Sequence, residues 1–324
     1  MLTNNKKVLI TGGAGFIGSN FIRYILNKNP FTKIINLDKL TYCGNLNNLK
    51  DLCQHKNYKF VKGDICNTTL VDKTVKGCKV IINFAAQTHV DRSIKNAAEF
   101  IKTNVQGTHV LLEAAKRHKL DLFVQISTDE VYGSILNGKF CEASLLNPSS
   151  PYSASKASAD LLCVSYYKTY KLPVIITRSS NNFGPYQYPE KIIPLFITNA
   201  IEGKRLPVYG DGLNIRDWIY VLDNCAAIEL AAQKGKIGEI YNIGGSNELN
   251  NLQLTKMVLS RMGKSEKLIK FVTDRPAHDR RYALDITKIK SLGWQSNYDF
   301  NTAISDTIQW YINNKQWWQR LKRY

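Results

Sequence analysis

The side chains best suited to chemistry lie between Ser127 and Lys156. The first group reads Ser127-Thr128-Asp129-Glu130-Val131-Tyr132-Gly133, and after a polar loop comes Tyr152-Ser153-Ala154-Ser155-Lys156. A hydroxyl, two adjacent carboxylates, a phenol and an amine are thus gathered where an apolar run, Leu122-Phe123-Val124-Gln125-Ile126, comes to its end. This is equipment for proton transfer. Two carboxylates side by side at a buried strand end do not ionise equally, so one can act as base and the other as acid. The residues alone do not say which. Tyr152 and Lys156 share one face if their segment is a helix. Pro151 suits the first helical position, with Ser149 or Ser150 as cap. Taken singly, Asp129 and Glu130 would serve equally to cap a turn, and Tyr-x-x-x-Lys to decorate a helix surface.

The elements that must position these groups read as strands alternating with helices. Apolar strands are expected at Val8–Ile10, Ile34–Leu37, Tyr58–Val61, Val80–Phe84, Leu122–Ile126 and Leu172–Ile176, with a helix over roughly Asn104–His118. That alternation predicts βαβ units and a parallel sheet, wound on both faces by right-handed crossovers. Ligands of such sheets bind beyond the strand ends. The first strand runs into Gly12-Gly13-Ala14-Gly15-Phe16-Ile17-Gly18, and Phe21, Ile22, Ile25 and Leu26 follow at helical spacing. A glycine turn opening a helix lets backbone N–H groups approach a pyrophosphate. The spacing here is Gly12-x-x-Gly15-x-x-Gly18, and Asp38 ends the next strand. An acidic residue there accepts hydrogen bonds from an adenosine ribose and repels a 2′-phosphate, which favours NAD over NADP, with Lys39 beside it as a counter-signal. A tight turn in an α/β protein without a cofactor is the plain alternative.

After about Arg178 the segments shorten, with turns at Gly184-Pro185, Gly210-Asp211-Gly212 and Gly244-Gly245. We expect an NAD-binding domain over 1–178 and a smaller, partly helical lobe over 179–324 that holds substrate, with some late segments rejoining the first. No internal repeat or low-complexity linker is present. The aromatic, basic tail Trp310–Tyr324 reads as a terminal helix docked by Trp310, Trp317 or Trp318.

The 324 residues carry a formal charge of +18. Such a charge could mark a nucleic-acid binder, a membrane-surface protein or an enzyme for anionic substrates, or be plain Lys- and Asn-rich residue usage; the Lys residues are spread along the chain, which argues against a nucleic-acid footprint. Seven cysteines, with no C-x-x-C pair, lack metal-site spacing and read as free thiols of a reducing compartment. No metal is expected. The start, Met1–Lys7, is not followed by an apolar segment long enough for a signal peptide, and no run reaches the length of a membrane span. A cytoplasmic protein is the expectation.

The glycine turn, the Tyr-x-x-x-Lys pair and the upstream Thr together resemble the short-chain dehydrogenase/reductase superfamily in its extended form. The finer resemblance is to nucleoside-diphosphate-sugar 4,6-dehydratases, especially the dTDP-glucose 4,6-dehydratases. It covers nearly the whole chain, through the stretches Leu37–Asn45, His89–Ile94, Asn181–Gln187, Tyr209–Trp218 and Asp274–Tyr282. Its sharpest element is Thr128-Asp129-Glu130. Epimerases of the superfamily usually carry small or hydroxyl residues at the two acidic places, and decarboxylases and GDP-mannose dehydratases usually have Ser before the Glu. Two departures stand out: Gln87 where the family commonly has Glu, and Ala277 where it has Gly.

The resemblance implies a Rossmann-type fold and a redox-neutral elimination. Tyr152 takes the proton of the sugar's C4 hydroxyl while a hydride passes to NAD, with Lys156 lowering the phenol's pKa and holding the nicotinamide ribose. C5 is then the α-carbon of a ketone. Glu130 removes its proton, Asp129 protonates the departing C6 hydroxyl, and Thr128 holds the C4 oxygen. Hydride return to C6 gives a 4-keto-6-deoxy sugar, a step toward deoxysugars such as rhamnose. NAD is assigned by the same resemblance to Gly12, Gly15, Phe16, Ile17, Gly18, Asp38, Lys39, Thr41, Asp64, Ile65, Ala85, Ala86, Thr103, Tyr152, Lys156 and Asn182. The nucleoside-diphosphate hexose, dTDP- or UDP-glucose, is assigned to His89, Thr128, Asn181, Lys191, Val208, Tyr209, Arg216, Asn251, Arg275 and His278, and His89 and Asp91 are placed near the cofactor. A homodimer is expected. The competing readings are a 4-epimerase or UDP-glucuronate decarboxylase and, from another class, an NAD-binding sensor or nucleic-acid-binding protein.

Overall fold

The fold was analysed in a computed structural model that describes residues 6–322. The extreme ends of the two terminal readings, Met1–Asn5 and Arg323–Tyr324, lie outside the described residues. Six strands come first: β1 (Lys7–Thr11), β2 (Lys33–Asp38), β3 (Tyr58–Lys62), β4 (Val80–Asn83), β5 (Leu122–Thr128) and β6 (Val174–Ser179). Six more follow: β7 (Asn181–Phe183), β8 (Leu206–Tyr209), β9 (Ile215–Tyr220), β10 (Ile240–Ile243), β11 (Glu248–Asn250) and β12 (Ile269–Val272). One parallel sheet has the order β10-β6-β5-β4-β1-β2-β3. The order reverses between β1 and β4, which is where open α/β sheets leave a ligand crevice.

Alternation along the strands builds both faces. On β5, Leu122, Val124 and Ile126 join the core beneath the helices Phe16–Lys28 and Val221–Lys234. Phe123 joins the core beneath Thr108–Arg117 and Pro151–Tyr170. The sheet is therefore doubly wound. A third core, with Phe183, Phe196, Trp218 and Trp318 fully enclosed, belongs to the second lobe. That lobe holds a three-stranded sheet β11-β9-β7 and the pair β12-β8. β10 leaves it and pairs with β6, Ile240 opposite Ile176.

Several boundaries differ from the sequence reading. β5 runs two residues further and carries Ser127 and Thr128 inside the strand. β6 begins at Val174, because Pro173 has no N–H to give a ladder. The expected helix from Asn104 opens as a π-helical stretch, Ile101–Gly107, before becoming α-helical over Thr108–Arg117. The tail forms helices Phe300–Asn313 and Lys315–Leu321. Trp318 is fully buried, and Trp317 reaches across to donate to Asn48 Oδ1 at 3.0 Å. Among the described residues no helix is long and apolar enough to cross a membrane.

Candidate active site

The glycine turn builds the first wall of a deep cleft. Gly12 has φ +67°, and a Cβ there would sit 2.6 Å from the Ala85 nitrogen. Gly18 lies so close to Gly12 that a Cβ would meet the Gly12 oxygen at 2.5 Å. The Phe16–Lys28 helix starts at Gly15 with no side-chain cap and no acidic residue in its first turn. Its opening amides and positive dipole end are therefore available to an anion. Asp38 accepts from the backbone N–H groups of Ala14, at 2.9 Å, and Leu40, at 2.8 Å. Burial pushes its carboxyl up, and those two amides pull it back. Lys39 is drawn to Asp64 at 2.9 Å. The sixteen residues assigned to NAD above, from Gly12 to Asn182, line this one cleft, whereas His89 and Asp91, placed near the cofactor, do not. A backbone cradle at a helix start, followed by a carboxylate at the next strand end, fits a dinucleotide.

The proton-transfer groups sit at the cleft's inner end. Beyond β5, Asp129–Tyr132 form a single 3-10 turn. The Thr128 hydroxyl donates to Asp129 Oδ1 at 3.1 Å and accepts from the Glu130 N–H at 3.3 Å. Asp129 is 2% exposed, and its Oδ2 has no partner. Burial, then the neighbouring Glu130 charge, hold its pKa well above the ordinary carboxylate value. Burial also raises Glu130, but Arg275, Lys191 and Arg216 oppose that rise. The two carboxyls are thus pushed unequally, with Asp129 the stronger candidate for a proton-bearing acid.

Tyr152 and Lys156 stand on the Pro151–Tyr170 helix, whose start is a capping box between Ser150 and Ser153. Phe100 packs edge-on to the Tyr152 ring at 6.3 Å. Lys156 Nζ donates to the Ile126 carbonyl at 2.5 Å. The expected depression of the phenol by Lys156 is not what these surroundings produce. Burial raises the Tyr152 phenol, and the Glu130 and Asp129 charges raise it further. Burial lowers Lys156, with Asp160 opposing. Asp160 takes hydrogen bonds from Ser127 Oγ at 3.0 Å and Arg178 Nε at 2.9 Å, a buried ion pair one helical turn beyond Lys156.

Of the groups assigned to substrate, Asn181, Lys191 and Thr128 line the same cleft. Arg216 is fixed by the carbonyls of Ile215, 2.7 Å, and Asp279, 2.9 Å, with its guanidinium 4.2 Å from the Tyr282 ring centre. Arg275 faces Asp91 at 3.5 Å, and its buried Nε is unpartnered. His278 bonds Asp274 through Nδ1 at 2.6 Å, and burial lowers its pKa. Tyr209 donates to Asp91 at 3.2 Å. His89 keeps a buried, unpartnered Nδ1. Asn251 is buried at the start of the helix Asn251–Arg261, where its N–H donates to the Asn214 carbonyl. None of His89, Tyr209, Arg216, Asn251, Arg275, His278 and Val208 is among the residues lining that cleft, and Val208 has its side chain 1% exposed within the second-lobe core, as alternation along a half-buried strand requires.

The sequence reading missed several residues. Asn104 is buried in the π stretch. It accepts from the Gln87 N–H at 2.8 Å and donates to the Gln87 carbonyl at 3.1 Å and the Ser155 hydroxyl at 2.8 Å. It thereby ties the loop after β4 to the helix of Tyr152. Glu190 and Tyr188 also line the cleft. Their adjacency to Lys191 was the available signal, whereas nothing local marks Asn104. Ala277 holds φ +51°, a backbone state that favours the glycine its position was compared with. Among the described residues no cluster of three or more His, Cys, Asp or Glu is placed to hold a metal.

Comparison with known proteins matches residues 9–307 to the family model described as GDP-mannose 4,6 dehydratase. A dTDP-glucose 4,6-dehydratase of Streptomyces niveus is 50% identical over 98% of this chain and 96% of its own length. The crystal structure of dTDP-glucose 4,6-dehydratase from Bacillus anthracis in complex with NAD superposes with a TM-score of 0.92 at 52% identity, covering 98% of this chain and 99% of the other. A dTDP-glucose 4,6-dehydratase of Streptomyces venezuelae, solved with NAD bound, gives 0.95 at 46% identity, covering 97% and 99%.

Proposed function

The chain belongs to the dTDP-glucose 4,6-dehydratases, hydro-lyases of the extended short-chain dehydrogenase/reductase superfamily, and from that premise we propose that it converts dTDP-glucose to the 4-keto-6-deoxy sugar and water. The observation that carries the proposal is the buried Asp129 carboxyl, one oxygen free, set beside Glu130 and Tyr152 at the end of a dinucleotide cleft. NAD, when bound, takes a hydride from C4 and returns it to C6, and in its oxidised form brings positive charge to the pocket. The amides from Gly12 to Gly18 hold its diphosphate, Asp38 its adenosine ribose and Lys156 its nicotinamide ribose.

The chain's own groups do the rest. Tyr152, whose phenol needs the oxidised cofactor's positive charge to offset its burial and the two carboxylates, takes the proton of the C4 hydroxyl, and Thr128 steadies the oxygen as it becomes a carbonyl. That carbonyl makes C5 acidic. Glu130, which three cations keep closer to ionised, takes the C5 proton. Asp129, held protonated by burial, gives its proton to the C6 hydroxyl, which leaves as water, and as hydride adds to C6 Glu130 returns a proton to C5. Arg216, Lys191, Arg275 and His278 bind the nucleoside diphosphate, with the Arg fork matched to phosphate. The protein acts as a homodimer in the cytoplasm, on the route to deoxysugars such as rhamnose.

The test offers the purified protein dTDP-glucose and UDP-glucose side by side, each deuterated at C4. The expected result is faster turnover of the thymidine sugar, loss of one water by mass, and deuterium at C6. A C4 epimer of unchanged mass, or a product without migrated deuterium, would sink the proposal. Faster turnover of UDP-glucose would keep the chemistry and correct the nucleotide.

A further inference from the structure

Two loops of the first lobe meet the second lobe at one carboxylate. Glu190 lines the cleft next to Lys191. Its Oε1 accepts a 2.8 Å hydrogen bond from the Tyr42 hydroxyl, in the loop after β2. Its Oε2 faces Arg92 at 3.4 Å and His89 at 3.8 Å, both beyond β4. The Arg92 guanidinium lies 3.7 Å from the centre of the Tyr42 ring, and Tyr188 packs edge-on to that ring at 5.4 Å. Lys191 Nζ adds a bond to the Thr88 carbonyl at 3.1 Å. Each segment also lends the cleft a wall: Thr41, Cys43 and Gly44 from the first, Thr88 from the second, Tyr188 and Glu190 from the third.

We propose that Tyr42, Arg92 and Glu190 are positioning residues that clasp the cleft shut across three segments and keep the dinucleotide in place throughout the catalytic cycle. The proposal rests on the NAD-dependent reading above. That chemistry has no net redox change, so a reduced nucleotide lost midway would strand a ketone with no hydride to finish the reaction. A fast-exchanging cleft, adequate for an ordinary dehydrogenase, would be wasteful here. The clasp suits retention: its members stand 42, 92 and 190 residues into the chain, so opening the cleft breaks a charge-assisted bond and a cation–π contact together. Burial holds the Tyr42 phenol far above neutral pH, so it remains a donor under all working conditions.

The experiment loads wild type, Tyr42→Phe, Glu190→Gln and the double variant with NADH, removes free nucleotide by gel filtration, and follows release by fluorescence. Each single variant is expected to release nucleotide about tenfold faster than wild type, the scale of one lost hydrogen bond to a charged group. The double variant should release faster than either single but fall short of the product of the two effects, because both changes weaken the shared Tyr42–Glu190 bond while only Glu190→Gln removes the charge facing Arg92. Tyr42→Phe keeps the ring beneath Arg92, and thermal unfolding in excess NAD checks that each variant is folded. Lys6→Ala breaks a pair with Asp121 at the opposite end of the strands and should release at the wild-type rate. Wild-type release rates in both single variants, or equal acceleration in Lys6→Ala, would overturn the clasp. A wild-type protein that retains no nucleotide would instead overturn the functional reading beneath it.

Discussion

Asp129 has one carboxyl oxygen bonded to Thr128 and the other bonded to nothing, where water scarcely reaches. A folded pKa above the unfolded value means the native state binds the extra proton. Its contribution to stability is therefore present at low pH and is lost as pH rises from the ordinary carboxylate range through the folded value. Asp129→Asn should remove that loss. The variant is expected to be more stable than wild type at neutral pH, with a flatter stability-against-pH curve in denaturant titrations. Its turnover should fall by about 10²–10⁴, the usual worth of a general acid. A variant that is both as active and no more stable would show that Asp129 is neither protonated nor needed. Glu130→Gln should leave NAD binding intact and stop the cycle after C4 oxidation, so that NADH absorbance builds to one equivalent in a single-turnover mix. Wild-type turnover in that variant would end its assigned role.

The helix Pro151–Tyr170 does two tasks: it presents Tyr152 and Lys156, and its Ser150–Ser153 capping box fixes where the first turn begins. Ser150→Ala is expected to cost about 1 kcal/mol, read as a lowered midpoint in urea. Because Tyr152 is two residues from the cap, a drop in kcat larger than the drop in kcat/KM for a truncated substrate is not expected; the loss should be uniform. The loop Asp274–Asp279 offers the opposite test. Ala277 occupies φ +51°, and Ala277→Gly relieves a conformation costing about 1 kcal/mol, set against a comparable entropy loss of glycine in the unfolded chain. A change of less than about 1 kcal/mol in either direction is expected from calorimetry, with KM for the sugar nucleotide moved more than stability.

At the scale of the whole molecule the dominant fact is the +18 charge, with the cations at positions 191, 216 and 275 opposing the rise that burial imposes on Glu130. An anionic nucleotide sugar should be steered inward, so kcat/KM is expected to fall as ionic strength rises while kcat stays level. Parallel falls in both would place the salt effect on folding or chemistry. The C-terminal helices join the lobes mechanically: Trp318 is enclosed, and Trp317 bonds the Asn48 that in turn donates to the Ala14 carbonyl of the glycine turn. Trp318→Ala should cost about 3–5 kcal/mol of stability.

What the sequence determined alone was whatever depends on neighbours along the chain. Alternating strands and helices, the glycine turn with Asp38, the Thr128-Asp129-Glu130 triplet and the Tyr152/Lys156 pair could all be read, because strand periodicity, helical spacing and turn chemistry are local. Tertiary structure decided the rest. It turned Val208 into the second-lobe core, brought β10 back beside β6, and set Asn104 against Gln87 and Ser155. It also split the two carboxyls, since Arg216, Lys191 and Arg275 reach Glu130 from far along the chain. Burial and charge act through space, and their strength at any group depends on which distant segments fold against it.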